Sequence, residues 1–152
     1  MWADYGNGGK GICLHYQYSP ENAEKTNEFS FDEISYVETI KRDENVSLYD
    51  TLQHGFFTKH SDFKFENENR FITVADGDAI YKDTKLMGKS ISEASLGIKL
   101  IAIDFGTDCS EEDKKKVFDV INARADSTSI SFYQLKYGTA GSFTFNRTAI
   151  SR

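Results

Sequence analysis

Ile98-Lys99-Leu100-Ile101-Ala102-Ile103-Asp104-Phe105 is the stretch from which the fold is read. Its apolar, β-branched run predicts a strand, with Leu100 and Ala102 facing opposite to Ile101, Ile103 and Phe105. Residues 106–109 turn the chain. Ser110, followed by Glu111-Glu112-Asp113, supplies a capping hydroxyl and first-turn carboxylates, which predict a helix N-terminus. Val117, Phe118, Val120, Ile121 and Ala125 form the expected buried stripe of that helix, which should reach about residue 125. Lys114-Lys115-Lys116 fall on its expected solvated face.

Working outward, Ser129 to Tyr137 predicts a second strand. Ile130, Phe132, Gln134 and Lys136 share one face; Ser131, Tyr133, Leu135 and Tyr137 share the other. Gly138 to Gly141 signals a turn, and Phe143 to Ile150 a final strand. Upstream, Asn7-Gly8-Gly9 and Gly11 lead into an alternating strand, Ile12 to Tyr18. A glycine loop cradles phosphate when a helix or nest follows it; a strand follows here, so a plain turn is the better reading. A strand is expected around Ile34–Glu38, and Ser47 can cap a short helix running through Phe57. Asp76-Gly77-Asp78 reads as a tight turn, because the spaced oxygen ligands of a calcium loop are missing. A short strand is expected at Ala79–Tyr81. The fold class expected is α+β: a largely antiparallel sheet packed with one main C-terminal helix and a shorter helix, in a single domain over 1–152.

The densest charge pattern lies in Lys59 to Ala75, KHSDFKFENENRFITVA. In an extended chain Glu66, Glu68 and Arg70 share a face; in a helical turn Glu66 and Arg70 meet at i,i+4. Either geometry sets the arginine against a carboxylate as a two-pronged pair. Phe71 to Ala75 then predicts a strand.

Composition narrows the function classes. Hydrophobic residues are 39% of the 152, with 12 Phe and 8 Tyr, enough for a packed core rather than a disordered chain. A net charge of −6 argues against broad electrostatic capture of nucleic acid or an anionic membrane. Cys13 and Cys109 are far apart in sequence and read as two reduced structural thiols. His15, His54 and His60 show no metal-ligand spacing and read as packing or surface residues. No metal or cofactor is expected. No segment has the length and apolarity of a membrane span or a signal peptide, so a cytoplasmic protein is expected.

Two segments together resemble a bacterial family of proteins of unknown function, the domain-of-unknown-function family numbered 2971. One is Met1-Trp2-Ala3-Asp4-Tyr5 with Gly11-Ile12-Cys13-Leu14; the other is Lys59, Phe63, Glu66, Glu68 and Arg70. Phe63 stands where the family pattern implies tryptophan. The strand–helix–strand–strand ending over Ile98–Ile150 is similar in order too. The resemblance implies the C-terminal part of a longer family member, with an N-terminal portion lacking here. It supplies no established reaction.

Glu66-x-Glu68 ahead of a strand is also similar to the paired glutamates of some ADP-ribosyltransferases. That likeness implies a truncated or divergent nucleotide-dependent transferase, with Glu66, Glu68 and Arg70 as candidate catalytic residues. Trp2, Tyr5 and Lys59 would then be candidate ligand-binding residues, Tyr5 by stacking on a base. The favoured reading is a non-catalytic binding or assembly domain in which Arg70 pairs with Glu66 or Glu68. Its expected partner is a second copy, with Met1, Trp2 and Tyr5 near the interface; a small molecule or another protein are further partner classes. Membrane and nucleic acid are not expected partners.

Overall fold

The computed structural model describes residues 6–22, 29–39, 47, 51, 54–73, 79–82, 85–89, 91–138 and 144–152. Strands run at Ile12–Tyr18 (β1), Phe29–Glu33 (β2), Ser35–Val37 (β3), Thr58–His60 (β4), Asn69–Thr73 (β5), Ala79–Lys82 (β6), Lys85–Lys89 (β7), Ile98–Phe105 (β8), Ser131–Tyr137 (β9) and Phe145–Ala149 (β10). Helices run at Glu93–Leu96 (α1) and Glu111–Asn122 (α2). The fold is α+β, with a mostly antiparallel main sheet and few helices. Two compact units form: Met1–Glu24 with Ser92–Arg152, and the inserted Lys25–Ile91. Among the described residues, no helix is long and apolar enough to cross a membrane.

The first unit carries a four-stranded sheet in the order β1-β8-β9-β10. β1 and β8 pair antiparallel, as do β9 and β10, while β8 and β9 are parallel. A parallel join needs a long crossover, and α2 supplies it. Ser110 caps α2, its Oγ accepting from Asp113 N–H at 3.1 Å, as the Ser-Glu-Glu-Asp pattern predicts. Ile121 is buried, and Val117 and Phe118 pack against Leu100, Ile103, Phe105, Cys109, Ile130 and Phe132. Val120 and Ala125 do not join this stripe. Val120 is exposed on the flank of α2, and Ala125 lies exposed beyond the helix end at Asn122. Lys114 also departs from its expected solvated face. Its ammonium pairs with Glu111 at 2.6 Å and lies 6.0 Å from the Phe105 ring centre, so the stem covers apolar surface.

The strict alternation expected along β8 fails at one residue. His15 pairs with Ala102 and Tyr16 with Leu100, which leaves Ile101 unpaired as a bulge. An extra residue reverses the side-chain parity beyond it. Leu100 therefore joins Ile103 and Phe105 in the core, and Ile101 is left exposed.

The glycine-rich stretch before β1 is a turn closed on itself. Gly9 and Gly11 N–H groups both donate to Gly6 O, and Gly9 O accepts from Asp108 N–H at 2.9 Å. Gly9 has φ +87°, and a Cβ there would meet Thr107 Oγ1 at 2.6 Å, so this position requires glycine. Donors turned onto the turn's own carbonyl make no phosphate cradle.

In the second unit, β2 pairs antiparallel with β5, β3 parallel with β4, and β6 antiparallel with β7. Phe31 stands opposite Phe71, ring centres 4.3 Å apart. The strand expected around Ile34–Glu38 is instead two short strands either side of Ile34, which is buried and donates its N–H to Glu68 O. Residues 51 and 54–56 are helical, and Ser47 O accepts from Thr51 N–H at 2.9 Å, in keeping with the short helix expected there. The Asp76-Gly77-Asp78 turn lies outside the described residues, as do Met1, Trp2 and Tyr5.

Candidate functional site

The second unit brings Lys59, Phe63, Glu66, Glu68 and Arg70 together, though by neither backbone geometry expected for Glu66. Residues Ser61–Glu66 form a 3-10 helix, capped by the His60 side chain, and Asn67 adopts the left-handed region at φ 46° before β5 begins. Only Glu68 and Arg70 keep the two-residue, same-face relation of a strand. Arg70 Nε donates to Glu68 Oε1 at 2.7 Å and its Nη2 to Oε2 at 2.9 Å, a two-pronged pair. Its Nη1 donates to Phe56 O at 2.5 Å. Lys59, on β4, bridges the rest: its ammonium bonds Glu66, reaches Glu68 at 3.4 Å and lies 4.9 Å from the Phe63 ring centre. Glu68 N–H donates to Tyr36 Oη.

The electrostatics follow from this wiring. The Arg70 hydrogen bonds hold the Glu68 carboxyl below its ordinary range, and those same bonds push the guanidinium up. Lys59 is pushed up chiefly by its bond to Glu66. A depressed carboxyl stabilises the fold above its unfolded-state range and loses that contribution as pH falls through the folded value. Arg70→Ala is expected to destabilise by about 1–2 kcal/mol, discounted because about a third of each side chain is exposed. Carboxyl NMR should show Glu68 titrating higher in Arg70→Gln. An unchanged urea midpoint together with an unmoved Glu68 titration would remove the pair's structural role.

The first unit holds a cluster that sequence reasoning missed. Asp104 is buried within β8, and Arg147 from β10 reaches it with Nε at 2.9 and 3.0 Å and Nη2 at 2.8 Å. The guanidinium lies 3.5 Å from the Tyr133 ring centre. His15 Nε2 comes within 3.0 Å of Asp104 Oδ2, a contact too poorly aligned to count as a hydrogen bond. Cys13 stands opposite Asp104 in the β1–β8 register. Although Cys13 is an exposed residue, partial shielding of its thiol, then the Asp104 charge, push its pKa up. A raised thiol is a poor nucleophile, so Cys13, His15 and Asp104 do not make an activated cysteine site. The signal available in sequence was Asp104 itself, a carboxylate inside an apolar strand. Arg147, 43 residues away, could not be matched to it by spacing.

A cleft of about 580 Å³ in the same unit is lined by Gln17, Ser19, Glu93, Gly97, Lys99 and Asp126. Its carboxylates are already engaged. Arg124 grips Glu93 with Nη1 and Nη2 at 2.9 and 3.0 Å and Asp126 with Nε and Nη2 at 2.9 and 3.1 Å. Among the described residues, no group of three or more His, Cys, Asp or Glu is placed to hold a metal ion.

β1 presents a different kind of surface. It ends the sheet order, and among the described residues only β8 pairs with it. Ile12, Leu14, Tyr16 and Tyr18, one face of the strand by alternation, are 40%, 44%, 42% and 37% exposed. They lie on the sheet face that α2 covers over β8 and β9.

Residues 1–71 match the family described as "Protein of unknown function (DUF2971)". This is the family to which the two motif segments point. The match takes in the N-terminal part of this chain and stops at Phe71, so the strand–helix–strand–strand ending lies outside it. Neither the curated proteins nor the solved structures give a match.

Proposed function

We propose that this chain, a member of the DUF2971 family through residues 1–71, is a non-catalytic assembly domain that associates with a second copy of itself. The observation that carries this reading is β1: among the described residues an edge strand, with four large, partly exposed apolar side chains in one row. An open edge leaves backbone donors and acceptors unpaired, and an apolar row beside it gains burial when another strand is added. A copy of the same strand satisfies both needs and closes the assembly at two.

The Glu66 and Glu68 arrangement supports a structural role over the transferase reading. Each carboxylate is held by a cation, and Glu68 takes both prongs of Arg70. A catalytic acid that positions a ribose needs an oxygen available to it.

Light scattering across a dilution series tests the assembly. The wild-type chain is expected to give a dimer mass that falls toward monomer on dilution. Leu14→Lys sets a charge in the apolar row without removing a core residue, and should weaken the dimer on the order of tenfold or more. A monomer mass at every wild-type concentration would defeat the proposal.

A further inference from the structure

We infer that a hollow between the start of β9 and the end of β10 binds a small organic carboxylate, with Arg152 as the group that recognises its charge. The inference is independent of the assembly reading, because no residue lining the hollow belongs to β1.

The pairing of the arginines singles out Arg152. Arg70 grips Glu68, Arg124 grips Glu93 and Asp126, and Arg147 grips Asp104. Arg152 meets no carboxylate side chain among the described residues. Neutral oxygens hold its guanidinium instead: Nη1 donates to Asn122 Oδ1 at 2.9 Å, and Nη2 donates to Ser127 O and, at 3.4 Å, to Ile130 O. The group also lies 4.8 Å from the Phe132 ring centre. Its Nε–H has no acceptor among the described residues.

The backbone explains this placement. Ile150 N–H donates to Phe132 O at 3.0 Å, which carries the β9–β10 pairing past Ala149. The chain then takes Arg152 across Phe132 to the last residue of α2 and the 3-10 turn at Ser127–Ser129. Three neutral acceptors fix the position of the charge without cancelling it. The carbonyl dipoles at the end of α2 amount to only about half a charge. Every other described arginine is neutralised where it sits, so this one is oriented in advance and still able to attract an anion.

The adjoining space has matching chemistry. The hollow measures about 380 Å³, at the small end of the range for ligand sites. Thr128, Ser131 and Tyr133 bring hydroxyl groups to its lining, and Ile130, Ala149 and Ile150 bring apolar surface. Among the described residues, no Asp or Glu lines it. The larger cleft beside Arg124 differs here, since Glu93 and Asp126 line it. A chain of net charge −6 exerts no general pull on anions, so capture must be local, and Arg152 supplies it. The apolar lining favours an anion carried on a short carbon body over a bare inorganic ion.

The test is an NMR titration of the full chain with butanoate and with benzoate, read at the Arg152 Nε–H and the backbone amides of Ile130, Ser131 and Ile150. Saturable shifts at these groups are expected. Butanamide keeps the carbon body but carries no charge, and should bind about tenfold or more weakly than butanoate. Arg152→Gln should lose butanoate binding by a similar factor, and Arg152→Lys should keep part of it, because it retains the charge. Urea unfolding checks that both variants fold. No saturable shift with either carboxylate would overturn the proposal. Equal binding of butanoate and butanamide, or undiminished binding by folded Arg152→Gln, would overturn the role of Arg152 and leave it as a cap on the end of α2. Inorganic phosphate binding more tightly than both carboxylates would overturn the ligand class.

Discussion

Phe105→Ala is expected to lower the unfolding free energy by about 3–5 kcal/mol, read as a shifted urea midpoint. Phe105 is fully buried and central to three rings. Phe118 meets it edge-on at 5.5 Å, Phe132 lies nearly parallel at 6.2 Å, and Phe118 and Phe132 meet edge-on at 4.9 Å. Truncation therefore removes buried apolar area and two aromatic contacts, and opens a cavity that β8 and α2 can only partly close. Phe105→Leu fills most of that space and should cost about 1–2 kcal/mol. Equal effects of the two variants would show that the site collapses freely, contrary to the packing described.

Arg147→Ala is the second large effect expected, a destabilisation of about 2–3 kcal/mol. The asymmetry of exposure sets its size: the Asp104 side chain is 7% exposed and that of Arg147 41%. Removing Arg147 leaves a buried carboxylate beside the His15 imidazole, with its guanidinium partner gone. Asp104→Asn instead leaves a half-exposed guanidinium that water can solvate, so it should cost less. Combining Arg147→Met with Asp104→Asn should cost less than the sum of the two single changes, because the double variant buries no unpaired charge. Urea unfolding of all four members of the cycle checks the order. A costlier Asp104→Asn would mean that the carboxylate's own shape and contacts, not its desolvation, govern the cluster.

The two changes differ in how visible their targets are in sequence. Phe105 ends an eight-residue apolar strand directly before a turn and a capped helix, and each feature depends on neighbours a few residues away. β8 and the start of α2 are local in this sense, as are the turn before β1 and the Glu68–Arg70 pair across two residues. Alternation, a capping hydroxyl and a glycine at positive φ act through backbone geometry that the local sequence specifies.

What only the tertiary structure decided depends on residues far apart in the chain. The bulge at Ile101 exists because β1 pairs with β8 in a particular register, and it alone moves Leu100 to the core side. Lys59 meets Glu66 because the 3-10 helix over Ser61–Glu66 folds the chain back toward β4. Asp104 is tolerable within an apolar strand because β9 and β10 bring Tyr133 and Arg147 to it. The place of β1 at the end of the sheet order among the described residues is likewise a tertiary property: Ile12 to Tyr18 has the alternation of any half-buried strand. Period and capping are short-range, whereas register, edge position and charge pairing are chosen by which strands meet, and one chain's local preferences do not encode that choice residue by residue.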